Sequence, residues 1–152
     1  MSMRSLQSWL DEYAQSHQNP QNKRIHFIAV PSIYFTVVGL LWSIPTPTWL
    51  AELGFVNGLS LLVVPIMLFY FTLSLRLGLL MSLFTGACVA LLYAYQALGL
   101  SSVTAMCIAV FVVMWIAQFY GHKLEGKKPS FFKDVFFLLI GPAWIIHNIS
   151  TR

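Results

Sequence analysis

Three of the four histidines in this chain stand in two short polar islands. His17 and His26 lie in SHQNPQNKRIHFIAVP, residues 16–31, and His122 lies in WIAQFYGHKLEGKKP, residues 115–129. The fourth, His147, follows GPAWII near the C-terminal end. Neutral imidazole is the commonest protein ligand for first-row transition metals. It is equally a polar group that is costly to bury without a hydrogen-bond partner. The same islands carry Asn19, Asn22, Gln118 and Glu125. Gln118, His122 and Glu125 are each one helical turn apart and can share a helix face. Two readings follow. In one, His17, His26 and His122 hold a metal while the amides and Glu125 orient the ring nitrogens. In the other, the histidines bond to carbonyls at helix ends and bind nothing.

Other chemistries find no support. The acidic residues are Asp11, Glu12, Glu52, Glu125 and Asp134, and none forms the Glu-x-x-His pair of a carboxylate-bridged di-iron bundle. No G-x-S-x-G elbow occurs. Cys88 and Cys107 lie in apolar runs without metal-site spacing and read as small buried hydrophobes.

Elements must bring the islands together across almost a hundred apolar residues. The chain of 152 residues is 58% hydrophobic and 9% charged, with mean hydropathy +0.74. Soluble domains carry roughly 25% charged residues, so the natural solvent here is a bilayer. The sequence predicts an all-α, polytopic transmembrane helix bundle. A cytoplasmic amphipathic segment, residues 1–24, precedes a transmembrane domain, residues 25–152. Four spans of the length a bilayer needs cover residues 25–44, 55–75, 77–98 and 103–121. A fifth stretch, 131–149, is interrupted by Gly141-Pro142; it either crosses or turns back there. Residues 74–78 form a tight hairpin, and 43–49 and 97–102 are turn-like. Leu6, Trp9, Leu10 and Tyr13 share one helical face, which predicts a short helix lying in the membrane interface or packed on the bundle's end.

The basic residues set the orientation. Arg4, Lys23, Arg24, Arg76, Lys123, Lys127, Lys128 and Lys133 all fall on one side of this topology, and loops 43–54 and 97–102 carry no Lys or Arg. That distribution puts the N-terminus in the cytoplasm. It also accounts for the formal charge of +4 without nucleic acid, for which no basic stripe interleaved with aromatics exists. The N-terminal residues are polar and lack the apolar core of a signal peptide. Span one leaves the cytoplasmic face just after His26, and span four returns to it just before His122. Both histidines therefore reach one depth, with His17 beside them. His147 joins only if the last segment turns back.

The two islands together resemble the small membrane proteins of the 2-hydroxy fatty acid dioxygenase family. The resemblance rests on H-x-N-P-x-N-x-x-I-H, Q-F-x-G-H and E-G-x-x-P, and it covers both ends of the chain. It implies an iron(II)-dependent enzyme of fatty-acid α-oxidation that uses dioxygen to remove one carbon from a 2-hydroxy fatty acid. Its histidines fall on His17, His26 and His122. Asn19, Pro20, Asn22, Gln118, Gly121, Glu125, Gly126 and Pro129 match its other motif positions. The sequence departs from the pattern six residues after Pro142, where an acidic residue is often found: Asn148 stands there, beside His147. On this reading the 2-hydroxy acid chelates the iron through its hydroxyl and carboxylate, and three histidines leave room for dioxygen. His147 is then a possible fourth ligand, and Lys23, Arg24, Lys127 and Lys128 are cations that could attract the carboxylate. The resemblance implies the inner membrane for a bacterial chain and the endoplasmic reticulum for a eukaryotic one. Two alternatives stand beside it: another metal-dependent lipid hydroxylase or hydrolase, and a non-catalytic lipid-binding or transport protein. Against transport, no ionisable residue sits deep in the four spans. The sequence gives no oligomeric state.

Overall fold

The structure, a computed structural model, describes residues 4–151. Among these it is all helical: α1 (Leu6–Ala14), α2 (Pro20–Trp42), α3 (Thr48–Glu52), α4 (Gly58–Leu73), α5 (Leu75–Leu98), α6 (Val103–Glu125) and α7 (Phe137–Ser150), with a short 3-10 turn at Ser130–Phe132. Three helices, α2, α5 and α6, are long and apolar enough to cross a membrane. The apolar helices α4 and α7 are shorter, at 16 and 14 residues.

The chain divides into two units, one made of residues up to Ile33 with those from Val112 onward, the other of Tyr34–Phe111. Helix α2 runs through residues 24 and 25 and continues past Ile33 into the second unit.

In the second unit α4 packs on α5. Asn57 starts α4 with a capping box: its side chain accepts from Ser60 N–H, and Ser60 answers its backbone. This places the helix start at Gly58, three residues after the expected span start. A single extended residue, Ser74, then ends α4 and caps α5, so the expected hairpin is tighter than its five-residue signal. Short α3, after two prolines in the 43–49 loop, was not expected. Tyr34 donates to or accepts from Thr85 at 2.7 Å and stacks on Phe84. Both cysteines are buried free thiols.

In the first unit α2 begins at Pro20, five residues before the expected span. Pro suits a first helical turn because that N–H would go unused. Asn19 caps the turn, its side-chain oxygen accepting from Gln21 and Asn22 N–H at 2.8 and 3.3 Å. Helix α1 packs on α7. Trp9, Leu10 and Tyr13 are buried; Trp9 meets Phe137 edge-on at 5.1 Å, and Tyr13 meets Trp144 at 5.5 Å. The amphipathic face of α1 is thus covered by α7. Of the two alternatives at Gly141-Pro142, the turn is absent: α7 runs unbroken through Pro142. Its 14 residues span about 21 Å, short of a hydrocarbon core of about 30 Å.

Candidate metal centre

The site lies wholly in the first unit. His17 follows α1, His26 sits in the second turn of α2, and His122 in the last turn of α6. Gly126, at φ 70°, ends α6, as glycine past a helix C-terminus commonly does. The three imidazoles are 1, 0 and 4% exposed, so each must satisfy its nitrogens inside the protein. Their ring centroids are 4.3 to 5.0 Å apart. One nitrogen from each lies within 4.8 Å of the others.

The backbone decides which nitrogens converge. His17 Nδ1 donates to the Tyr13 carbonyl at 2.7 Å, and His26 Nδ1 donates to the Asn22 carbonyl at 2.9 Å. Both acceptors are four residues upstream. A neutral imidazole that donates from Nδ1 keeps its lone pair on Nε2. His17 Nε2 is buried and has no hydrogen-bond partner. His26 Nε2 faces His122 Nε2 at 3.1 Å. His122 Nδ1 is likewise buried without a partner, so that ring can carry its proton there and leave its Nε2 lone pair free, and the three imidazoles could then offer one nitrogen each to a single ion. The donor set therefore fits a first-row transition metal.

Burial also keeps His17 ready to bind. Desolvation pushes its pKa down from 6.5 to about 4, outweighing the Tyr13 carbonyl and Glu125, which act upward. The ring is neutral at physiological pH, the form a metal requires. Two aromatic rings wall it in: Tyr13 stacks on it at 4.1 Å and Trp144 lies at 5.7 Å.

Glu125 binds the islands together. One of its oxygens accepts from Gln18 N–H at 2.8 Å; the other accepts from Asn19 N–H at 2.8 Å and Asn22 Nδ2 at 3.0 Å. Asn22 Nδ2 also donates to the Ser16 carbonyl at 3.2 Å. Its amide is thereby oriented, and its oxygen lies against Gly121, where a Cβ would stand 2.4 Å from it. Only glycine admits α2 this close to α6.

Of the residues singled out in the sequence, His17, His26 and His122 come together, with Asn19, Asn22 and Glu125 forming the hydrogen-bonded frame beside them. Gln118 is buried one turn from His122, its side-chain oxygen without a hydrogen-bond partner. Lys23 is half-buried and Arg24 exposed on the first turns of α2. His147 is half-buried on α7 and outside the three-histidine group. Sequence reasoning missed Tyr13, whose backbone carbonyl orients His17 and leaves no signal in residue type. It also missed Trp144, which no spacing rule connects to the islands.

The sequence model of the 2-hydroxy-palmitic acid dioxygenase Mpo1-like family matches residues 3–152. The chain belongs to that family. No curated protein and no solved structure matches it. Membership makes a dioxygenase the activity that the family name indicates, and the Mpo1-like match takes in both histidine islands and every helix between them.

Proposed function

We propose that this Mpo1-like protein is an iron(II)-dependent dioxygenase that shortens 2-hydroxy fatty acids by one carbon at the cytoplasmic face of a membrane. The observation carrying the proposal is the convergence of three buried imidazoles, one with an orphaned Nε2 and two tied through Nδ1 to backbone carbonyls. The family supplies the reaction class. Three long apolar helices supply the lipid setting.

The geometry supports the following residue roles. His17, His26 and His122 would hold the metal through Nε2. When bound, Fe(II) supplies electrons for reaction with dioxygen and polarises the hydroxy-acid oxygens. The Tyr13 and Asn22 carbonyls fix the tautomers of His17 and His26; His122 would shift its proton from Nε2 to its unpartnered Nδ1 on loading. Tyr13 and Trp144 keep water from His17, which strengthens electrostatic contacts in the site. Glu125 holds the residue 18–22 segment to the end of α6 and is acceptor to three donors already, so it serves as a tie and not as a ligand.

The test is anaerobic incubation of purified protein with Fe(II) and a 2-hydroxy fatty acid, then admission of oxygen and mass analysis. The proposal expects a product one carbon shorter, formed only with both iron and oxygen. Turnover that is unchanged with zinc and without oxygen would instead establish the hydrolytic alternative. The cytoplasmic placement rests on the eight basic residues. Cysteine labelling should find the N-terminal segment and the 126–130 segment on the cytoplasmic side; labelling of either from the opposite side rejects it.

A further inference from the structure

Beside the histidine centre, and within the same unit, the structure holds a cavity of about 800 Å³. That is within the usual size range of small-molecule sites, roughly 300–1,000 Å³. Lys127, Lys128 and Lys133 line it, with Phe119 and Phe132 as its apolar wall. The one acidic lining residue, Glu12, is neutralised by Arg4. Lys127 is held in place, its Nζ donating to the Gln15 carbonyl at 2.8 Å. The ammonium groups of Lys128 and Lys133 have no acidic partner among the described residues. The cavity thus pairs a surplus of positive charge with aromatic surface, which complements an amphiphile with an anionic head.

Its position ties it to the metal centre. Ser16 and Ser130 line the cavity and touch each other, Oγ to Oγ, at 2.6 Å. Ser16 Oγ is also 3.2 Å from His17 Nδ1. A ligand at this lining therefore stands one hydroxyl and one imidazole ring away from the orphaned Nε2. Phe119 stands three residues before His122 on α6.

We infer that this cavity is the encounter site for the substrate's carboxylate: Lys128 and Lys133 draw the head group of a long-chain fatty acid from the membrane surface, and Phe119 and Phe132 receive the first part of its chain. The inference rests on the fatty-acid reading of the histidine centre, but it concerns binding and not chemistry. Electrostatic capture of this kind raises the encounter rate and weakens with salt.

The test uses chelator-treated, metal-free protein in neutral detergent, with a 2-hydroxy fatty acid as probe and the corresponding long-chain diol as its uncharged control. Replacing both lysines, Lys128→Gln with Lys133→Gln, should weaken fatty-acid binding about five-fold, as two exposed ion pairs predict. Lys128→Arg with Lys133→Arg should restore it. Diol binding should not change. In loaded enzyme the Gln pair should raise KM and leave kcat as it was. Equal fatty-acid affinity in wild type and the Gln pair overturns the inference, as does equal weakening of the diol. Loss of binding to anionic phospholipid vesicles, with fatty-acid binding intact, also overturns it and makes the cavity a bilayer-headgroup site. Lysine-dependent binding by protein that turns nothing over supports the cavity while the iron reading fails, so the two failures are distinguishable.

Discussion

Gly121→Ala is the substitution whose consequence the geometry states most sharply. The added Cβ would stand 2.4 Å from Asn22 Oδ1 and 3.5 Å from His26 Cε1. A carbon and an oxygen in contact need about 3.3 Å, so roughly 0.9 Å must be found. Asn22 cannot swing away freely, because its Nδ2 donates to the Ser16 carbonyl at 3.2 Å and to Glu125 at 3.0 Å. Either those bonds break or α2 and α6 move apart at this level. Parting the helices lengthens the 3.1 Å separation of His26 and His122, and functional constellations tolerate about 0.5 Å of displacement. Overpacking of this kind costs about 1–3 kcal/mol. If most of that falls on the metal-bound geometry, iron affinity drops about ten- to a hundred-fold. Competition against a calibrated chelator measures it. Gly86→Ala is the control, since nothing lies within 4 Å of a Cβ there; it should leave affinity unchanged. Wild-type iron affinity and turnover in Gly121→Ala would refute the claim that close approach of α2 and α6 sets the ligand geometry.

Further outcomes follow from the same framework. Glu125→Gln removes at least one acceptor from three donors and should lower iron affinity about ten-fold, as a lost outer contact does; chelator competition will show whether the loss reaches that of a ligand change, which would make Glu125 a ligand. His147→Ala should leave iron content and turnover as in wild type, because His147 lies outside the converging group; a large loss of iron in metal analysis would contradict this. Burial holds His17 at about 4 against 6.5, so between those values the folded protein binds fewer protons than the unfolded chain. Metal-free protein should therefore have this contribution intact above about pH 6.5 and lose up to about 3 kcal/mol as pH falls towards 4. Melting of the metal-free protein in detergent should track that fall, and His17→Gln should lessen it; identical profiles would contradict the assignment.

The polar islands were legible because polar residues in so apolar a chain have few reasons to exist. Helices α2, α5 and α6 were legible because long apolar runs in lipid admit one backbone solution. The hairpin at Ser74 followed from its turn-type residues, and the meeting of His26 with His122 from counting crossings. What escaped the sequence was set by contacts between distant elements. The apolar face of α1 announces burial but not its cover, and α7 supplies that cover through Phe137 and Trp144. Gly141-Pro142 allowed a turn, yet a proline within a helix removes one backbone bond, and α7 continues through it. Amides and Glu125 were expected to orient the imidazoles directly. The carbonyls of Tyr13 and Asn22 do so for His17 and His26, and a carbonyl leaves no mark in residue identity. Gly121 was visible as a motif position, but the reason for it, the Asn22 oxygen against its Cα, is a fact of packing.

Iron content tests the central claim most directly. Wild type and the variants His17→Ala, His26→Ala and His122→Ala should be purified metal-free, shown to be folded by circular dichroism and size exclusion, loaded anaerobically with Fe(II), and desalted before metal analysis. Stoichiometric iron in wild type and its loss from each of the three variants is the predicted result. Folded wild type that retains no iron, or any one of the three variants retaining the full amount, would contradict the three-histidine centre.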